Sequence, residues 1–305
     1  QNRVLRAVGE ANLRFTEDAL RILRGVRFAV KYGLAPEEKT KDAMAALSPR
    51  LHNIAVERIF DEVCKLLPLV KAADLLTFSP IIKEIIPELG DTMGFDQHNT
   101  HHAYDIYTHT AHVVESAPPT LPLRWAALLH DIGKVATFTM DEKGQGHFYG
   151  HAKESLRMAE EILRRLRFSN AGTEKGGTLI RYHDSVLEED RIRRWLNKLG
   201  EETFFDLLEV QRADTAGLAP AYCTRLETFD RLERLAKEIL SEAPCLQIRD
   251  LAVNGHDLMA LGLTGKDIGR VQRHLLDRIL EGELFNKKED ILWYIEGFLK
   301  KNSGI

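Results

Sequence analysis

The sequence predicts an all-α, multi-domain helical bundle interrupted by one small β-hairpin. Apolar residues recur at helical spacing through nearly the whole chain, and helix-capping residues stand where those patterns start and stop. Short β-compatible runs, TFTM and HFYG, flank the turn-forming DEKGQG between Val135 and Gly150 and predict the hairpin.

Thr16 is a good N-cap, with Glu17 and Asp18 in the first turn, and the pattern EDALRILRGVRFAVKYG predicts a helix that stops at Gly33 in a left-handed C-terminal conformation. Leu20, Leu23, Val26 and Val30 share one side of it, while Arg21, Arg24, Arg27 and Lys31 share another within about 120° of arc. Helices are expected over 38–47 and 55–66, and over 80–89 with Ser79 as N-cap and Pro80 in the first turn. The polar, turn-rich GDTMGFDQHNT at 90–100 marks a domain entry. Helices resume at 102–116 and, after the turn PPTLP, at 123–132. Beyond the hairpin they are expected at 153–167, 178–183, 189–199 and 202–215, with the Gly/Asn/Thr cluster at 170–177 as a loop. A long charged helix follows Pro220 to about Ser241, then a glycine-punctuated tail and two final helices. The expected domains are 1–90, 91–219 and 220–305.

Composition narrows the function classes. The 46 acidic and 42 basic residues leave a formal charge of −4, so any nucleic-acid contact must come from a local patch. Cys64, Cys223 and Cys245 are odd in number, scattered and without CxxC spacing, which excludes a disulfide framework or zinc knuckle and fits a reducing cytoplasm. No apolar run is long enough to span a bilayer, and no signal-peptide pattern opens the chain. The chain starts at Gln1 in mid-pattern without Met, as a piece of something longer would.

Eight of the twelve histidines lie between His98 and His151, around LLHDIGK at 128–134. His130 and Asp131 diverge by about 100° on a helix, yet both can reach an ion beside its end, where Gly133 permits close backbone approach and Asp131 can bridge. His109 upstream and Asp214 in RADTAG downstream complete a set able to converge on one divalent ion; His147, His151 and His183 are further donors. Imidazole with carboxylate suits Mn, Fe, Co, Ni or Zn better than Ca or Mg. A lone helical histidine is ordinarily a core or surface residue, which is the reading for His52, His98, His101, His112, His256 and His274.

LLHDIGK with His109 and Asp214 resembles the HD-domain family of metal-dependent phosphohydrolases. The resemblance implies an HD fold in the middle of the chain and metal ligation by His109, His130, Asp131 and Asp214. His151 and His183 stand where two-metal members place extra histidines, and Asp131 and Lys134 would be catalytic, the lysine near the scissile phosphate.

RVLRAVGEANLRFTEDALRILRGVRFAVKYGL resembles the neck of bacterial tRNA nucleotidyltransferases, the CCA-adding enzymes, and of their poly(A) polymerase relatives. LAVNGHDLMALGLTGKDIGRVQRHLLDRILEGELFNKKEDIL resembles their C-terminal part. On that resemblance Asp18 and Arg21 would read the base edge of incoming CTP or ATP, Glu17 would position Arg21, and Arg6 would approach the triphosphate. Lys266, Arg270 and Arg273, on the helix opened by Gly265, would meet an RNA phosphate. The family's polymerase head, with its Mg-binding carboxylates, would lie before Gln1, so these 305 residues alone are expected not to extend tRNA. The partners implied are tRNA and, in the intact enzyme, CTP and ATP. Two other readings are a stand-alone HD phosphohydrolase or 2′,3′-cyclic phosphodiesterase, and a non-catalytic RNA-binding HD module.

Overall fold

A computed structural model describes residues 3–98, 104–218, 226–242 and 244–302, and the protein is predominantly helical. Its chain divides into two compact units, Gln1–Ser185 with Asp206–Leu226 and Val186–Phe205 with Glu227–Ile305. Residues 1–90 therefore fold as one unit with most of the segment that follows them.

In the first unit, β1 (Val4–Leu5) pairs in parallel with β2 (Ala35–Pro36), a contact periodicity does not reveal. The single helix expected from Thr16 is instead two, α1 (Ala11–Glu17) and α2 (Leu20–Tyr32). The break falls at Asp18, which leaves helical geometry and accepts the Leu20 backbone N–H on its side chain at 3.1 Å, so Asp18 rather than Thr16 serves the helix start. Gly33 ends α2 at φ 59°, the left-handed stop expected. One face of α2, including Leu20, Ile22, Leu23, Val26 and Ala29, is buried; the helix packs on α4 (Val56–Leu66). α3 (Glu38–Leu47), between them in sequence, packs on α1.

The carboxylate of Glu62 on α4 is 6% exposed and binds Arg27 of α2 at 2.7 Å, with Arg24 and Lys65 at 3.7 Å. Short helices α5 (Ala72–Thr77), α6 (Ser79–Ile85) and α7 (Pro87–Gly90) follow. The expected 80–89 helix is thus broken at Ile86, because a proline ring at 87 disfavours helical geometry in the residue before it.

α8 (Ile106–Ser116) starts on Asp105, whose side chain accepts from the Thr108 N–H. The part of the expected helix before residue 104 lies outside the described residues. α9 (Leu121–Leu129) and the one-turn α10 (Lys134–Thr137) precede the hairpin, in which β3 (Thr139–Met140) pairs antiparallel with β4 (Gly146–His147). α11 (His151–Arg165) and α12 (Asn170–Tyr182) pack against each other, and α12 also against α9.

α12 corrects the loop expected over 170–177. Its glycines cost helix propensity, but Gly176 and Gly177 are buried, and a Cβ on Gly177 would meet Leu156 of α11 at 3.0 Å. Close helix approach outweighs propensity there, and Ser169 caps the start through the Gly172 N–H.

α14 (Glu201–Ala216) supplies the rest of this unit from Asp206 on. The second unit contains α13 (Ile192–Leu199), α15 (Leu226–Ser241) from Glu227 on, α16 (Gly255–Ala260), α17 (Lys266–Leu280) and α18 (Lys288–Asn302). Leu258, Leu275, Ile291 and Ile295 form the centre of one apolar cluster.

Candidate functional site

The six residues expected to ligate metal converge in the first unit from five places in the sequence. His109 lies one turn inside α8, His130 and Asp131 follow α9, His151 opens α11, His183 follows α12, and Asp214 comes from α14. Gly133 makes the convergence sterically feasible. A Cβ there would lie 2.5 Å from Ser155 N and 2.9 Å from His151 O, so only glycine lets the turn lie against the start of α11. Ser155 Oγ accepts the Gly133 N–H at 2.9 Å and closes that contact.

Asp131 divides its two oxygens between two groups of donors. Oδ2 faces His130 Nε2 at 3.2 Å and His109 Nε2 at 3.7 Å; Oδ1 faces His151 Nε2 at 3.4 Å and His183 Nε2 at 3.5 Å. Asp214 Oδ1 approaches His109 Nε2 at 2.9 Å and His130 Nε2 at 3.5 Å. The donors form two metal-compatible triads, His109/His130/Asp131 and Asp131/His151/His183, that share Asp131.

The residues present fit a divalent transition metal. Each imidazole turns Nδ1 to a backbone carbonyl: His109 to Gly217, His130 to Ala127, His151 to Phe148 and His183 to Ile180, at 2.7–3.1 Å. Holding the proton on Nδ1 leaves the Nε2 lone pair for the centre of the site, the usual arrangement around ligating histidines. Two donors about 2.1 Å from one ion and roughly 90–110° apart would lie about 3.0–3.4 Å from each other, close to the spacings above. His151 and His183 point Nε2 at Nε2 across 3.1 Å, and the buried His130 Nε2 makes no hydrogen bond with protein. A cation between such lone pairs resolves both conflicts.

The electrostatics ask for the same thing. Burial opposes charge on His130, but Asp131 and Asp214 outweigh it and push its pKa up to about 10, so without an ion a proton on Nε2 supplies the positive charge that a metal would supply in its place. Burial likewise opposes ionisation of Asp131 and Asp214, yet His130 and Lys134 hold Asp131, and His109 and His130 hold Asp214, well below the usual carboxylate range. His151 is shifted down, chiefly by burial. The buried Asp131 and the partly exposed Asp214 thus draw positive charge into the cluster. Lys134 provides some: its Nζ donates to Gln97 Oε1 at 3.0 Å, lies 2.7 Å from Asp131 Oδ2, and sits over the Phe148 ring.

Among the described residues the other histidines do not join. His147 pairs with Asp141 at 3.0 Å and stacks on Tyr149, His112 stacks on Tyr104, His98 faces Phe138, His52 binds Glu84, and His274 bonds Tyr294. His101 and His102 lie outside the described residues. The supporting groups Gln97, Ser155 and Gly217 carry no metal-site signature in sequence; only the position of Gly217, three residues after Asp214 in RADTAG, hints at its carbonyl's role.

Arg6 and Arg21 line a cavity of about 360 Å³ with Arg14, Arg24, Phe15, Phe28 and Met44. The β1–β2 pair brings Arg6 beside Glu37, Nε to Oε1 3.0 Å. Arg21 donates to Glu17 Oε2 at 2.6 Å and to the Arg14 carbonyl, and the Arg21 and Arg14 guanidiniums hold the Glu17 carboxyl below its ordinary range. Asp18 does not line that cavity; besides capping α2, its carboxylate lies 3.6 Å from Arg58. In the second unit, Lys266, Arg270 and Arg273 are exposed on the first two turns of α17, Arg270 beside Asp267 at 3.0 Å.

Comparison with known proteins is consistent along the chain. Residues 147–295 match the family described as tRNA nucleotidyltransferase domain 2, and residues 33–91 match the family described as the probable RNA and SrmB-binding site of polymerase A. An A-adding tRNA nucleotidyltransferase of Deinococcus radiodurans is 31% identical over 309 residues, covering 95% of this chain and 70% of the relative. A CC-adding tRNA nucleotidyltransferase of Thermus thermophilus is 32% identical over 307 residues, covering 95% and 68%. The structure of the Bacillus stearothermophilus CCA-adding enzyme in complex with CTP aligns with TM-score 0.65 at 22% identity, over 100% of this chain and 68% of that one, which shows a shared fold. Among the described residues, no helix is long and apolar enough to cross a membrane.

Proposed function

The chain belongs to the tRNA nucleotidyltransferase family, and on that footing we propose that it supplies the nucleotide-selecting and RNA-holding parts of an enzyme that adds nucleotides to tRNA 3′ ends. The observation that carries this is the cavity walled by Arg6, Arg14, Arg21 and Arg24 over an apolar floor of Phe15, Phe28 and Met44. Guanidiniums suit a triphosphate, and the apolar floor suits a base and sugar. Arg21, steadied by Glu17, is the group that reads the base edge; Asp18, outside the cavity, supports it by capping the start of the helix that carries Arg21. A-adding and CC-adding relatives match this chain equally well, so the proposal stops at nucleotide addition. Titration of the 305-residue chain with CTP and ATP tests it. Arg21→Ala is expected to weaken binding by about tenfold, as loss of one charge-assisted hydrogen bond does; unchanged affinity would overturn the assignment.

A second reading concerns the histidine cluster and rests on the way Asp131 faces two triads. We propose that it is an HD-type metal centre hydrolysing phosphomonoesters or 2′,3′-cyclic phosphates, with His109, His130, Asp131, His151, His183 and Asp214 as ligands. A bound ion of the Mn, Fe, Co, Ni or Zn kind would supply Lewis-acid charge and an acidified water. Asp131 orients the ligand set, and Lys134, fixed by Asp131 and Gln97, places positive charge beside the phosphate. Hydrolysis of 2′,3′-cyclic AMP with added metal, lost in Asp131→Asn, is the expected result. Metal binding without hydrolysis, together with salt-dependent tRNA binding indifferent to chelator, would favour a non-catalytic RNA module instead. Lys266, Arg270 and Arg273 on α17 are proposed as phosphate contacts in either case.

A further inference from the structure

Along α2, the side opposite the buried face carries aromatic rings where a surface helix ordinarily carries polar residues. Arg21, Phe28 and Tyr32 fall within about 40° of one another around the helix, flanked by Arg24 and Lys31 on one edge. Phe28 is 40% exposed and Tyr32 50%. Their rings stack with centroids 6.0 Å apart and planes 30° from parallel. Arg27 lies 4.6 Å from the centroid of Phe28 and Lys31 Nζ 5.3 Å from that of Tyr32. Phe28 also lines the nucleotide cavity, so the stripe is continuous with it.

We propose that the Phe28–Tyr32 stripe is a stacking platform for the single-stranded 3′ end of the RNA substrate, leading it toward the nucleotide cavity. Aromatic faces that accept any base, edged by cations that follow the phosphates, are the recurrent means of holding single-stranded nucleic acid. The charges argue for a polyanion: among the described residues Lys31 has an aromatic partner and no carboxylate partner, whereas Arg27 and, at 3.7 Å, Arg24 face Glu62. The dimensions fit too. Arg21 to Tyr32 spans about 16 Å of helix axis, room for a few stacked nucleotides. The proposal rests on the tRNA nucleotidyltransferase reading and adds to it where the RNA end lies.

The test is fluorescence anisotropy of the 305-residue chain with a labelled, unstructured RNA octamer, run beside CTP titration of the same protein. Tyr32→Leu is expected to weaken RNA binding by about tenfold, while Tyr32→Trp restores it because it keeps a π-face. Lys31→Glu is expected to weaken binding and to lower the salt slope by about 0.7. Equal RNA affinity in the wild type and Tyr32→Leu, with thermal stability lowered or not, would overturn the platform and leave the pair as a helix staple. CTP binding that depends on Arg21, alongside that result, would leave the parent reading standing. Absence of both CTP and RNA binding would remove both.

Discussion

Asp131→Asn tests the proposed metal centre most directly, because the wild-type carboxylate turns one oxygen to each triad. Suppose each triad holds one ion. A ligand that binds only the folded state at a hundredfold excess over its Kd stabilises by about 2.7 kcal/mol. The unit that carries the site has roughly two hundred residues, for which each kcal/mol moves Tm by about 2–4 °C. Saturating Mn, Co, Ni or Zn should therefore raise its Tm by about 5–11 °C per ion. His151→Ala removes a donor from one triad only, so about half the shift and one of two ions should remain. Asp131→Asn weakens both triads together and should lose most of the shift, with less than one ion left per chain. Differential scanning fluorimetry combined with elemental analysis reads both quantities. A wild-type protein indifferent to all four metals and to chelator would overturn the assignment. Full metal content in Asp131→Asn would instead remove the bridging role.

Three further perturbations follow from packing and charge. Glu62→Ala leaves Arg27, 17% exposed, without its carboxylate; leaving one partner of a half-buried pair unsatisfied costs about 1–3 kcal/mol, so calorimetry should show Tm lower by about 2 °C or more, and a change under one degree would contradict the role given to Glu62. Gly133→Ala forces a Cβ into the backbone of α11 and should cost at least about 1–3 kcal/mol while displacing His151, seen as weaker metal uptake; wild-type stability and uptake would show that the contact can relax. The pair Arg165–Glu88 should add a small acid-dependent contribution. Burial raises the Glu88 pKa, but the two hydrogen bonds from Arg165 more than offset it and the net shift is downward. The pair's stabilisation is therefore present above the ordinary glutamate pKa and disappears as pH falls through the lowered folded value. Being half exposed, it is worth at most about 1 kcal/mol, and the stability difference between wild type and Arg165→Ala should shrink between about pH 6 and pH 3; a difference constant across that range would rule it out.

Much of this protein is determined locally and is legible in the residues. The helix over Glu38–Leu47, the left-handed stop at Gly33 and the hairpin at 139–147 follow from spacing, capping and turn chemistry, each an interaction among near neighbours. The HDIGK run points to the candidate metal site because it supplies two of the six proposed donors, His130 and Asp131, and the glycine that lets His151 approach. What tertiary structure alone decided involves partners far apart in sequence. Residues 170–177 look like a loop because glycine is a poor helix former, yet they are helical where α12 packs against α11 and α9, with Gly176 and Gly177 buried and Ser169 capping the start. Local propensity is worth about 1 kcal/mol per glycine, and packing exceeds it. Division of the Asp131 oxygens between two histidine pairs, and the Nδ1 anchors that turn four lone pairs inward, arise only where α8, α9, α11, α12 and α14 meet. A sequence states which donors exist; their common focus is a distance, and distances between remote residues are set by the packed helices that carry them.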